Sequence, residues 1–89
     1  MSAIFYKDVN ATLDDTVDWT DWLDGDTIIS SSWSVPAGIT QVSASNTTTG
    51  ATVWLSGGTA GESYSVRNRV VTAGGRTDDR TITVRVEER

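Results

Sequence analysis

The clearest alternation of apolar and polar positions runs from Gly61 to Glu88. Tyr64, Val66, Val70 and Thr72 fall on one side of an extended chain, with Asn68 the odd polar member. Ser65, Arg67 and Arg69 fall on the other. Further on, Ile82, Val84 and Val86 share one face, and Thr81, Thr83 and Arg85 take the opposite one. A period of two predicts half-buried strands. Between the two runs lies Ala73-Gly74-Gly75-Arg76, and Gly-Gly supplies the positive φ angles of a hairpin turn. The stretch predicts a long antiparallel hairpin whose apolar face the rest of the chain must cover.

The remaining periodic segments are shorter. Residues 1–13 have no clean period, and Ile4, Phe5 and Tyr6 stand there as an apolar cluster. This terminus is either a docked first strand or an arm that orders on a partner. A short strand is predicted around Thr16–Trp19. Trp19, Trp22 and Leu23 then sit at i, i+3 and i+4, one turn of helix with Asp18 as its cap and Gly25 at its end. A strand over Thr27–Val35 places Ile29, Trp33 and Val35 at one parity and Ile28 at the other, which predicts a bulge or two-sided burial. Pro36-Ala37-Gly38 is a turn, Ile39–Ser45 a weaker strand and Asn46–Gly50 a loop. In Ala51–Leu55 the residues Ala51, Val53 and Leu55 point inward and Trp54 outward. Turn signals every eight to twelve residues predict an all-β sandwich or barrel. Gly61-Glu62-Ser63-Tyr64-Ser65-Val66 has the shape of a tyrosine corner, two residues before a buried position. The expected fold is an all-β, immunoglobulin-like antiparallel β-sandwich of six or seven short strands. Residues 14–89 form that single domain, and residues 1–13 are an interface-forming N-terminal arm.

Composition narrows the function. The 89 residues make one domain. Without cysteine there is no disulfide or thiolate site, and without histidine the commonest general base is missing. The opening Met1-Ser-Ala-Ile-Phe-Tyr-Lys has the pattern of neither a signal peptide nor a membrane span, which predicts a soluble protein made in the cytoplasm. The net charge of −5 is uneven: residues 1–62 carry eight acids and one lysine, residues 63–89 four acids and six arginines. An acidic chain argues against general nucleic-acid binding. The asymmetry fits either two solvated faces or head-to-tail electrostatic matching with a neighbouring subunit or partner.

Candidate chemistry is sparse. Asp14, Asp15, Asp18, Asp21, Asp24 and Asp26 invite a calcium reading, but their spacing is not that of an EF-hand loop, and the expectation is no metal and no cofactor. Nothing sets two carboxylates across a cleft or a base beside a nucleophile, so no catalytic residue is assigned and no enzyme is expected. Four tryptophans in so short a chain are the stronger signal, because tryptophan is enriched at interface hot spots. Trp19 and Trp33 are assigned to the core. Phe5, Tyr6, Trp22 and Trp54 are the candidate partner contacts.

At these residues the chain resembles a family of small bacteriophage and prophage fibre–tail adaptor proteins. The resemblance runs through Phe5-Tyr6-Lys7-Asp8, Leu13-Asp14, Asp18 to Leu23, Gly25 to Ile28 and Ser32 to Ile39. It continues through Ala51 to Gly61, Tyr64 and Ala73 to Arg80. The chain departs from the family at scattered strand positions such as Asp15, where an aromatic is common. The resemblance implies a virion structural protein joining tail or connector to fibre, made in the host cytoplasm and present in many copies. Its partners are then other virion proteins, with no nucleic acid and no membrane. The neighbouring readings are a capsid decoration protein and a carbohydrate- or cell-surface-binding module.

Overall fold

The computed structural model describes residues 3–88, and its framework is the hairpin at the C-terminal end. Strands β6 (Ser63–Thr72) and β7 (Thr77–Glu87) pair antiparallel from Ser63↔Arg85 to Val71↔Thr77. Gly75 holds φ +87° in the turn, a left-handed conformation that side-chain-bearing residues adopt at a cost. Strict alternation buries Val66, Asn68, Val70 and Thr72 on β6, and Ile82, Val84 and Val86 on β7.

Two further strands complete this four-stranded sheet, ordered β1-β7-β6-β3. Strand β3 (Ile28–Ser34) pairs antiparallel with β6 and bulges between Ile28 and Ser30. The bulge turns Ile28 into the core and leaves Ile29 65% exposed, so Ile29 does not share the inward face with Trp33. Strand β1 (Ala3–Asp8) lies parallel to β7, whereas the other strand pairings among the described residues are antiparallel. Of the two alternatives for the N-terminal residues, the docked strand is what residues 3–8 adopt.

The second sheet has three strands, ordered β2-β5-β4: β2 (Leu13–Asp18), β5 (Gly50–Gly57) and β4 (Ile39–Asn46). Its inner face supplies Val17, Ala51, Val53 and Leu55, which pack against the hairpin. This is an immunoglobulin-like β-sandwich. Only Ile39 of β4 is buried; the rest of that strand lies beyond the core.

A single helical turn, α1 (Thr20–Leu23), closes one end. Asp18 accepts hydrogen bonds from the Thr20 amide and hydroxyl, and Asp24 (φ 48°) leaves the helix in the left-handed region ahead of Gly25. Trp19, at the helix start, is the fully buried tryptophan. Its indole N–H donates to Asn68 Oδ1 at 2.9 Å, and the Asn68 amide donates to Ser31 Oγ and to the Ser32 carbonyl. The odd polar residue of the hairpin is therefore a satisfied buried amide joining α1, β6 and β3. Trp33 is only half-buried, and its indole N–H meets no acceptor among the described residues.

The tyrosine corner is present. The Tyr64 hydroxyl accepts the Thr59 amide at 2.9 Å, which ties the β5–β6 connection to the ring. Gly58 (φ +93°) lies beneath, where a Cβ would fall 2.7 Å from the Val86 side chain and 3.4 Å from the Tyr64 ring.

Candidate partner-binding surfaces

The outer face of the three-stranded sheet follows from alternation. With Asp15, Val17, Ala51, Val53 and Leu55 pointing inward, Asp14, Thr16, Asp18, Thr52 and Trp54 must point out. Register sets Asp14 and Ser43 on either side of Trp54, and Thr16 and Ser45 on either side of Thr52. The Thr16 and Thr52 hydroxyls are 2.9 Å apart and hydrogen-bonded. Trp54 is 40% exposed, as expected of an outward position. No lysine or arginine occurs anywhere on β2, β4 or β5, and the charges of this face, Asp14 and Asp18, both lie on β2.

The outer face of the four-stranded sheet carries both signs, with Asp8, Asp79 and Glu87 among its arginines. Arg67, Arg69 and Arg85 project from it among Ser32, Ser34, Ser63, Ser65 and Thr83. Arg69 grips Asp79 with two hydrogen bonds of 2.7 and 3.0 Å, which hold the Asp79 carboxyl below the usual range. Arg85 lies 4.0 Å from Glu87, and Arg67 is in no ion pair among the described residues. Beside Arg67 lies an open depression of about 320 Å³ lined by Ser34, Val35, Pro36, Ser65 and Thr81. A second, of about 400 Å³, runs along the β1 edge between Ile4, Tyr6, Thr83 and Arg85.

Arginine also organises the end of the sandwich. Arg76 donates to the carbonyls of Trp22 (3.1 Å) and Leu23, which closes the C-terminal end of α1, and its guanidinium lies 4.3 Å from the Trp22 ring centre. Arg80 lies 4.2 Å from the Trp19 ring centre and donates to the Asp18 carbonyl. The two indoles meet edge to face at 5.1 Å. Asp26 completes this cluster. The Thr72 hydroxyl, the Thr27 and Gly74 amides and Arg76 all serve its carboxylate, and they draw its pKa down to about 2.

The other aspartates have separate tasks, and no group of three or more acidic side chains among the described residues is placed to hold a metal ion. Asp15 points inward from an edge strand, where burial first and Asp14 second push its carboxyl up. Lys7 does the same from the other sheet. It is 1% exposed, its ammonium donates to the Asp8 and Gly57 carbonyls at 2.8 Å each, and burial pulls its pKa down.

The four candidate contact residues do not form one patch. Tyr6 (54% exposed) points outward from β1, while Phe5 points inward and packs on the core. Trp22 is half-buried between Trp19 and Arg76. Trp54 stands alone on the other sheet. The sequence pattern does not reveal Arg67's depression, because its β3 side is remote in sequence from the β6–β7 hairpin. Nor does the pattern single out Val42, which a bulge between Gln41 and Ser43 leaves 56% exposed.

A family model described as Podophage GP4 fiber-tail adaptor protein gp77 matches residues 7–85, nearly the whole chain. Among solved structures, the solution structure of the PKD domain from KIAA 1837 protein is similar, with 22% identity and a TM-score of 0.56. That match covers 98% of this chain and 80% of the other, and the likeness is one of fold. No curated protein sequence matches.

Proposed function

Because the chain belongs to the podophage GP4 fiber-tail adaptor family, we propose that it is a structural subunit of the virion, set between tail or connector proteins and fibres. It acts by protein–protein contact alone, without catalysis, and in several copies of a symmetric assembly. It is made in the host cytoplasm and ends in the tail or connector region of the particle.

The observation that carries this reading is Trp54. The other three tryptophans are packed into the sandwich, whereas Trp54 is left on the outside of a sheet whose inner face is complete without it. An indole in that position suits an interface anchor. Ile4 and Tyr6 on β1 form a second contact, which gives residues 1–13 their interface role. Phe5 and Trp22 support these surfaces from beneath. Phe5 seats β1 on the core, and Trp22 packs with Trp19 and Arg76 at the end of the sandwich that α1 closes.

Trp54→Ala tests the reading. The variant should unfold at nearly the wild-type denaturant concentration, yet lose about 2 kcal/mol or more of binding free energy for incorporation into particles. A strongly destabilised domain with normal incorporation would move the partner surface elsewhere. Copies per particle then separate the neighbouring roles: an adaptor follows the symmetry of the tail, and a decoration protein follows the capsid.

A further inference from the structure

We propose that the partner of the Trp54 face is a second copy of this chain, presenting its Arg67 face, so that subunits associate head to tail. The inference rests on Trp54 being a partner anchor and names what it anchors to.

The fold first directs association away from strand edges. Each of the four edge strands carries a device that blocks strand addition. β1 turns Lys7 inward and β2 turns Asp15 inward. β3 is bulged at Ile28/Ser30 and β4 at Gln41/Ser43. What remains for contact is the two broad outer faces.

Arg67 and Asp14 are locally complementary: the charges on the Trp54 sheet are carboxylates, and Arg67 is in no ion pair among the described residues. Asp14 flanks Trp54 across β2–β5, and no cation lies on that sheet. The other sheet offers Arg67, with Arg69 and Arg85 beside it. The depression next to Arg67 has Val35 and Pro36 in its lining, apolar surface suited to an indole. There the guanidinium can meet both the indole face and the Asp14 carboxylate. A two-fold contact of the Trp54 face with itself would bring no cation to Asp14, because that sheet has none. The complementary faces lie on opposite sides of the sandwich. The contact is therefore heterologous, and repeated it gives a ring or an open stack. The protein measures 42 × 22 × 18 Å. A broad face of that size offers at most about the 800 Å² per partner of a standard interface, so self-association in solution is weak and concentration-dependent.

The test is sedimentation of the purified full chain over a concentration series. The expected result is association that grows with concentration and weakens at least about tenfold as salt rises from about 0.1 M to about 1 M, which shortens the screening length from about 10 to about 3 Å. Asp14→Arg and Arg67→Asp should each weaken association about tenfold or more. Both positions are exposed, and unchanged thermal melting checks the fold. Mixing the two single variants, or combining the changes in one chain, should restore association, because acid again faces arginine. Wild type that stays monomeric to millimolar concentration, variants that associate like wild type, or a mixture that fails to recover would each overturn the inference. If the chain stays monomeric while Trp54→Ala still impairs incorporation, the adaptor reading stands and only the self-contact falls. If head-to-tail association is found but Trp54→Ala particles are normal, the adaptor reading falls.

Discussion

Asn68 gives the sharpest test of how the sandwich is held together. Asn68→Leu keeps the branching and the number of side-chain heavy atoms, though methyl groups are bulkier, and removes both amide functions. The Trp19 indole N–H, fully buried, loses its acceptor, and the Ser32 carbonyl and Ser31 hydroxyl lose a donor. An orphaned buried polar group costs about 1–3 kcal/mol. Because Ser32 is exposed and water can serve its carbonyl, the buried indole sets the loss at about 1–3 kcal/mol, a sizeable part of the roughly 5–15 kcal/mol that holds a domain folded. Trp19→Phe removes the donor itself, at the cost of a smaller ring in a closed site. In that background Asn68→Leu leaves no indole N–H behind and should cost about 1–2 kcal/mol less than in wild type. Urea unfolding of the four proteins, with equal slopes, measures the coupling. Trp33→Phe is the control: its indole N–H meets no acceptor, so its removal should cost clearly less than the same change at Trp19. If the two changes add within about 0.5 kcal/mol, or if Asn68→Leu alone is neutral, the buried amide does not organise the core and the reasoning fails.

Tyr64→Phe should cost about 0.5–1.5 kcal/mol, towards the lower end because water can serve the exposed Thr59 amide. Tyr64→Ala should cost about 2–4 kcal/mol, below the value for a fully buried ring, and denaturation midpoints measure both. Asp15 and Asp26 should move stability in opposite directions with pH. The folded pKa of Asp15 is raised, so its contribution is intact below the ordinary value of 3.8 and is lost as pH rises through the folded value. Asp15→Asn should therefore raise the melting temperature at neutral pH and lose that advantage below pH 3.8. Asp26, drawn down to about 2, contributes above pH 3.8 and stops contributing as pH falls through about 2. Asp26→Asn should accordingly melt lower at neutral pH and converge with wild type near pH 2, a comparison made by thermal melts across that range.

The sequence alone determined the hairpin from Ser63 to Glu87, the inward rows on β5, β6 and β7, the outward turn of Trp54 and the tyrosine corner. Each depends on a local rule. A pleated strand buries every second side chain, and a Gly-Gly turn supplies the backbone angles that join two such strands. The Ile28/Ile29 irregularity was legible for the same reason, as a break in period, although only the three-dimensional register chose Ile28 for the core. What tertiary structure decided is whatever depends on partners distant in the chain. Asn68 reads as a flaw in an apolar row until Trp19, 49 residues away, is brought against it. Lys7 reads as a solvated charge until β1 docks beside β7 and the Gly57 carbonyl receives its ammonium. Arg76 and Arg80 read as exposed until they stack on Trp22 and Trp19. The unevenness of charge was visible as a count, but not that Asp14 stands beside Trp54 on one outer face while Arg67, in no ion pair among the described residues, stands on the other. Alternation fixes which side of its own strand a residue occupies, whereas the stacking of the two sheets fixes which of those sides meet and which remain for a partner.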